Sequence, residues 1–225
     1  MVARPMKNRY SKYSRLSEHI FRQILKCFVQ DLDTYVTAEI SGISRRSVND
    51  IFQKLRKRVV SLLENEQPFS GEVEVDESYF GPRRIRGKRG RGAGQKVLVL
   101  GILKRGGKVY TQIIENTCTG TLMPIIRSKI KPDSIVYTDS YRSYNNALDV
   151  SEFKHYRINH SAVFAEGRNH INGIENFWNQ AKRVLRKYNG IPAKHFYWFL
   201  KESEFRFNYG THQQQFVTLK RWCRL

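Results

Sequence analysis

The sequence predicts a mixed α/β sheet flanked by helices and preceded by a small all-α block. Three observations carry that prediction. Residues 1–70 place apolar side chains at helical spacing; residues 71–115 switch to strand alternation with a hairpin turn signal; from residue 122 onward helix and strand patterns alternate. The 225 residues give length for a small domain attached to a medium one.

In the first block Ile20, Ile24, Phe28 and Leu32 mark one apolar stripe, and Val48, Ile51, Phe52, Leu55 and Val59 mark another. Between them the run from Thr37 to Phe52 has the layout of a helix-turn-helix. Gly42 permits the positive φ of the turn, Ser44 can cap the second helix, and Ile43 and Val48 are spaced for a hydrophobic staple. Such a helix presents Arg45, Arg46 and Asn49 near its N-terminus, where a recognition helix meets base edges and phosphates. The alternative is an ordinary helical hairpin with a solvated basic face. Pro68-Phe-Ser-Gly71 is the joint, so the expected domains are 1–70 and 71–225.

Beyond the joint, strands are expected over Glu72–Ser78, Lys96–Leu103 and Lys108–Glu115, with Arg105-Gly-Gly107 as the turn between the last two. A helix at Leu122–Ile130, a strand at Ser134–Thr138, a short helix around Tyr144–Leu148 and a strand near Phe153–Ile158 follow. Helices over Ile171–Tyr188 and Ala193–Asn208 complete the series. Three antiparallel strands and then alternating helices and strands describe a sheet of the ribonuclease H type. Between the first two strands, the segment from Gly81 to Lys96 mixes seven basic residues with five glycines and cannot pack a core. Its Arg83, Arg84, Arg86, Lys88, Arg89 and Arg91 are expected to clamp phosphates; a solvated linker is the alternative.

Forty Lys and Arg against twenty Asp and Glu give a net charge of +20 and a pI near 10.1. That excess favours a polyanionic partner, of which nucleic acid is the usual one. No apolar run reaches the roughly 18 residues of a transmembrane helix, and the basic start has no apolar stretch behind it to make a secretory signal. A cytoplasmic protein without a membrane partner is expected. Cys27, Cys118 and Cys223 are isolated, with no Cys-x-x-Cys pair, so neither a zinc ribbon nor a disulfide framework is indicated. All three are expected to be buried thiols.

The chemistry is expected at three acids. Asp76 ends the alternating run Gly71-Glu-Val-Glu-Val-Asp-Glu-Ser78, in which Val73 and Val75 face one side and Glu72, Glu74 and Asp76 the other. Asp76 is the expected ligand and Glu74 the reserve. Asp139 ends a second apolar run, Ser134-Ile-Val-Tyr-Thr-Asp-Ser140, and neighbouring strands would bring it to the same sheet edge. Glu175 lies in an amphipathic helix whose apolar face is Ile174, Phe177, Trp178, Ala181, Val184, Leu185 and Tyr188. Its opposite stripe is Asn172, Glu175, Asn179, Lys182 and Arg186; Lys182 stands two turns on from Glu175. Taken alone, that stripe is also what a solvated salt-bridging face looks like. Three ionised carboxylates suit two Mg²⁺ (or Mn²⁺) ions about 4 Å apart. Lys182 would then hold a phosphate near the scissile bond, with Asn179 and Arg186 as further DNA contacts.

Quoted together, Val-Asp-Glu-Ser-Tyr-Phe-Gly (75–81), Tyr-Thr-Asp-Ser-Tyr-Arg-Ser-Tyr (137–144) and His-Ile-Asn-Gly-Ile-Glu-Asn-Phe-Trp (170–178) resemble the DDE-type transposases of bacterial insertion sequences. More narrowly they are similar to the ISXO2-like subgroup, in which a helical lysine, here Lys182, follows the triad. Thirty-five residues lie between Asp139 and Glu175 and six between Glu175 and Lys182, spacings that suit that group. Glu204-Phe-Arg-Phe-Asn208 also resembles the end of the family's domain, so the resemblance covers about 71–210. It implies a ribonuclease H-like catalytic domain acting on the element's terminal inverted repeats, with double-stranded DNA of the element ends and the target as partner. It implies hydrolysis that frees a 3′-hydroxyl, attack of that hydroxyl on target DNA, and assembly as a dimer or higher in the bacterial nucleoid. Many such relatives carry a zinc ribbon ahead of this domain. This chain has no cysteine pairs to build one, so end recognition is expected to rest on the helix-turn-helix. The alternatives are a catalytically retired, transposase-derived DNA-binding protein and a nuclease of the same fold.

Overall fold

A computed structural model of the chain describes residues 10, 15–81, 96–139, 153–158, 171–188 and 190–223. In chain order the elements are α1 (Glu18–Val29), α2 (Thr34–Ser41), α3 (Arg45–Leu63), β1 (Glu72–Phe80), β2 (Val97–Lys104), β3 (Val109–Ile114), α4 (Thr119–Lys129), β4 (Ile135–Asp139), β5 (Lys154–Ile158), α5 (Asn172–Arg186), α6 (Ala193–Asn208) and α7 (His212–Trp222). They form two compact units, Met1–Glu64 with Tyr209–Leu225, and Asn65–Asn208.

The smaller unit is all helical. Ser17, Asp33 and Ser44 cap α1, α2 and α3, each side chain accepting from backbone N–H groups of the first turn. Gly42 ends α2 in the left-handed conformation at φ 65°, the turn expected of it. The core joins Phe21, Ile24, Leu25 and Phe28 of α1 to Val48, Phe52, Leu55 and Val59 of α3. Phe28 and Phe52 meet edge to face, their ring centroids 5.1 Å apart. Leu32, expected on the first stripe, lies beyond the end of α1. The tail departs from expectation more strongly. Assigned by sequence to the domain 71–225, it instead forms α7, which packs with α1. Arg58 of α3 donates to the Trp222 carbonyl through Nε and Nη2 at 3.2 and 3.1 Å. The physical reason is a short apolar stripe, Leu219 and Cys223, which is buried with these helices. The first boundary correspondingly falls at Glu64, ahead of the expected joint.

The larger unit is a five-stranded sheet in the order β3-β2-β1-β4-β5. β2 runs antiparallel to both β1 and β3, and β4 and β5 run parallel to β1. This is the ribonuclease H-like mixed sheet that the pattern predicts. One face carries Val73, Val75, Leu98, Leu100, Ile102 and Val136 against Leu122, Met123 and Ile126 of α4. The other carries Val99, Leu103 and Tyr137 against Ile174, Phe177, Trp178 and Ala181 of α5 and Phe196 and Leu200 of α6. β2 is buried on both faces, which is why its sequence runs apolar rather than alternating. Each fully buried large apolar side chain here contributes about 1.5–3 kcal/mol. The short helix expected around Tyr144–Leu148 lies outside the described residues.

β3 is an edge strand, and α6 closes it with side chains. Asn208 accepts from Val109 N and donates to Val109 O, both at 2.8 Å, so one amide replaces a ladder pair. Glu204 Oε2 accepts from Thr111 N at 2.9 Å, from Thr111 Oγ1 at 2.6 Å and from Lys201 Nζ at 2.9 Å. Lys201 and Glu204 are both buried. Burial pushes the Glu204 carboxyl up, and the Lys201 charge with the Thr111 donors opposes it. The family-like Glu204-Phe-Arg-Phe-Asn208 is therefore an edge clamp. Asn208→Ala should destabilise the protein by about 1–3 kcal/mol, because it leaves the backbone groups of Val109 without their partner. Urea unfolding of wild type and variant measures this; equal midpoints would show that the clamp contributes nothing.

Candidate active site

β1 and β4 run in parallel register, with Val75 opposite Thr138. The next residue on each strand is Asp76 and Asp139, so the two carboxylates stand side by side on neighbouring strands. Both share the sheet face that α5 covers. That helix starts at Asn172 and carries Glu175 in its first turn. Burial pushes the Asp76 carboxyl from its ordinary 3.8 up to about 6. The indole N–H of Trp178 and a backbone N–H at Glu77 oppose the shift, while the charges of Asp139 and Glu175 add to it. Acids from a neighbouring strand and a helix thus act on one carboxyl.

The Asp76 carboxylate is aimed by Trp178, whose Nε1 donates to Oδ2 at 2.9 Å. The ring reaches that position because Gly101 stands opposite Asp76 on β2. A Cβ at Gly101 would lie 2.5 Å from the ring's Cζ2 and 2.8 Å from Ile174 Cδ1. Neither residue is singled out by the sequence reading, which places Trp178 only on the apolar face of its helix. The signal was present: a lone glycine inside the apolar run Val97–Lys104 marks a close approach.

Glu74, the reserve ligand, is buried and already engaged. Its Oε1 accepts from Arg105 Nε at 3.0 Å and its Oε2 from Ile174 N at 2.8 Å. Lys182, Asn179 and Arg186 are exposed on α5. The Lys182 ammonium lies 5.6 Å from the centroid of the Phe80 ring, which itself meets Trp178 edge to face. Arg45, Arg46 and Asn49 are exposed at the start of α3, in the other unit, where Arg45 Nε donates to Thr34 Oγ1 at 3.4 Å. Arg83, Arg84, Arg86, Lys88, Arg89 and Arg91 lie outside the described residues. Cys27 and Cys223 are buried as expected, but Cys118 is exposed, because it stands at the start of α4 where its side chain faces solvent.

Asp76 lies in the middle of β1, where the pairing with β4 stops, rather than at the strand end that the alternation suggests; Asp139 ends β4. Ionised oxygen donors from these two strands and a helix are the donor chemistry that Mg²⁺ takes. Among the described residues, however, no three His, Cys, Asp or Glu side chains are close enough to share one ion. Asp76, Asp139 and Glu175 are near enough for their charges to interact.

The raised Asp76 carboxyl dictates a pH dependence. Between 3.8 and about 6 the folded protein keeps a proton that the unfolded chain has released. The stability from this group is therefore full below the lower value and is lost as pH rises through the upper one. Urea midpoints in chelator, taken across that window, should fall with rising pH more steeply for wild type than for Asp76→Asn. At neutral pH the variant should be the more stable of the two. Parallel curves for the two proteins would contradict the shift.

The model of the ISXO2-like transposase domain matches residues 68–208. A Haemophilus influenzae protein described as an uncharacterized transposase-like protein is 61% identical over 113 residues, covering 50% of this chain and 91% of that protein. Solved structures of a pre-cleavage Mos1 transpososome and of the Mos1 strand transfer complex are 10% and 11% identical. The first covers 93% of this chain and 81% of its own with a TM-score of 0.33; the second covers 100% and 78% with 0.34. Those two likenesses are too slight to bear on function. The family match is different: it spans nearly the whole sheet unit Asn65–Asn208 and ends on the residue that clamps β3. The chain belongs to the family of the ISXO2-like transposase domain, the transposases of insertion sequences.

Proposed function

We propose that this transposase cleaves DNA at the terminal inverted repeats of its element and joins the freed 3′-hydroxyl to target DNA by two-metal-ion phosphodiester transfer. The observation that carries the reading is the shared field of Asp76, Asp139 and Glu175 on the sheet face that α5 covers, in a chain of net charge +20. Asp76, Asp139 and Glu175 would hold the two ions, Mg²⁺ or Mn²⁺. Bound there, the ions supply positive charge to the attacking and leaving oxygens of an in-line displacement.

The chain's own residues do the rest. Trp178 fixes the direction of the Asp76 oxygens. Lys182 binds a phosphate oxygen of the scissile strand, with its amine held over Phe80. Asn179 and Arg186 continue that contact along the exposed stripe of α5, and Arg83, Arg84, Arg86, Lys88, Arg89 and Arg91 clamp the backbone. Water attacks the phosphodiester at the element end and expels the 3′-oxygen. The resulting 3′-hydroxyl then attacks a target phosphodiester and displaces the target strand's own 3′-oxygen, which leaves as a 3′-hydroxyl. Both steps replace a 3′-oxygen on phosphorus with an incoming oxygen, so a single set of side chains serves them. Arg45, Arg46 and Asn49 on α3 read the element ends. Two ends must meet one target, so the working form is a dimer or higher on double-stranded DNA, in the bacterial nucleoid. Among the described residues no helix is long and apolar enough to cross a membrane.

Strand transfer in vitro tests this, with labelled DNA carrying the gene's own flanks and a supercoiled target. Wild type should give joined product only with Mg²⁺ or Mn²⁺, and Asp139→Asn should abolish cleavage and joining while binding the ends nearly as well. Cleavage without joining would indicate the nuclease, and binding alone the retired DNA-binding relative. Arg45→Ala with Asn49→Ala should lose selectivity for the ends, about 1–3 kcal/mol for each base contact removed, and still cleave preassembled complexes. Unaltered preference for end over random DNA in competition binding would refute the recognition helix.

A further inference from the structure

We infer that Glu74 is a positioning residue: its buried carboxylate holds the first turn of α5 against β1 and so sets where Glu175 stands relative to Asp76. The start of α5 lacks a cap of its own. Ile171 occupies the cap position and offers no side-chain acceptor. The N–H of Ile174, in the first helical turn, is one of the groups that a capping side chain ordinarily satisfies. Here the acceptor comes from across the sheet, Glu74 Oε2 at 2.8 Å, one hundred residues earlier in the chain. A negative group at this place also meets the positive end of the helix dipole. Glu175, the acid carried by that turn, is the very next residue.

The approach is close on both sides. A Cβ at Gly173 would lie 2.8 Å from Glu74 Oε2 and 2.5 Å from Leu103 Cδ2, so only glycine lets the turn sit this deep. Glu74 is itself held. Arg105 Nε donates to its Oε1 at 3.0 Å, and Arg105 Nη1 donates to Glu72 Oε2 at 2.9 Å. The same guanidinium lies 3.7 Å from the centroid of the Tyr137 ring on β4, and Arg105 N donates to Glu72 O at 3.0 Å. The residue at the β2–β3 turn therefore grips β1 and packs on β4. The carboxylate that positions α5 is pinned to the two strands bearing Asp76 and Asp139. Glu74 acts through the helix and touches no reacting atom.

The inference rests on the transposase reading for its consequence, but its geometry can be tested apart from it. Glu74→Gln keeps the shape and removes the charge that binds Arg105 and the helix start. In the full chain it should bind end DNA as wild type does, with a cleavage rate at saturating Mn²⁺ reduced modestly. The Mn²⁺ needed for half-maximal cleavage should rise about tenfold or more, the usual effect of losing a group that orients a ligand. The Ile174 amide resonance of ¹⁵N-labelled protein should move, because Gln offers one acceptor oxygen to two donors, Ile174 N and Arg105 Nε. An unchanged Mn²⁺ requirement overturns the inference. So does loss of Mn²⁺ binding as complete as that of Asp76→Asn with the Ile174 resonance unmoved, which would make Glu74 a ligand. Should Glu74→Gln fail to fold, Gly173→Ala presses on the same contact from the helix side without changing any charge. It should raise the Mn²⁺ requirement in the same way, and a wild-type requirement would again overturn the inference. If wild type itself shows no metal-dependent cleavage, the transposase reading fails. Mn²⁺ binding, read by paramagnetic broadening, and the Ile174 resonance then decide the role of Glu74.

Discussion

Burying a carboxylate costs several kcal/mol unless donors meet it, and β1 turns two carboxylates toward the same helix within three residues. Glu74 is met by a backbone N–H at the start of α5, and Asp76 by the Trp178 indole one turn later. α5 is thereby fastened to the central strand at two points along its axis. A single contact would leave the helix free to pivot; two fix both its depth and its rotation. Gly173 and Gly101 lie under these two contacts, one on the helix and one on the sheet. The apolar face of α5 then closes over β1 and β2 with both carboxylates met.

Much of this unit is legible in the amino-acid order, because its signals are local. Alternation gives β1 and β3, turn residues give the hairpin, and the amphipathic stripe gives α5 to within two residues at either end. Asp76 and Asp139 stand out because each closes an otherwise regular strand pattern, whereas Glu175 lies on the ordinary polar stripe of its helix and gains its meaning only beside the two aspartates. The connections that hold the site are not local. Glu74 to Ile174 and Trp178 to Asp76 span about a hundred residues of chain, and no periodicity encodes them. For the same reason Glu74 reads from sequence as a spare ligand, although its carboxylate is engaged with a helix start and an arginine. α7 has no counterpart in the sequence reading, because its apolar stripe, Leu219 and Cys223, is too short to show a period.

Charge is distributed unevenly between inside and outside. Glu18, Glu74, Glu202 and Glu204 are buried, against Lys201 and Arg56 among the basic residues described. Several of these acids serve as acceptors for structural hydrogen bonds, and Glu204 and Glu202 do so within ion pairs on α6. The sequestered acids leave the solvent-facing surface more one-sidedly basic than composition alone implies. For the proposed function this favours capture of duplex DNA through nonspecific attraction before the ends are recognised.

The clamp on β3 limits how copies of the chain can meet. An exposed edge strand invites another strand to add to the sheet, the commonest beginning of runaway β-association. Here the outward N–H and C=O of Val109 belong to Asn208, and the N–H of Thr111 belongs to Glu204. An incoming strand would have to strip the last turns of α6 from Val109 and Thr111 before pairing with that end of β3. Extending the sheet through the Val109–Thr111 end of β3 would therefore first cost the protein its own clamp.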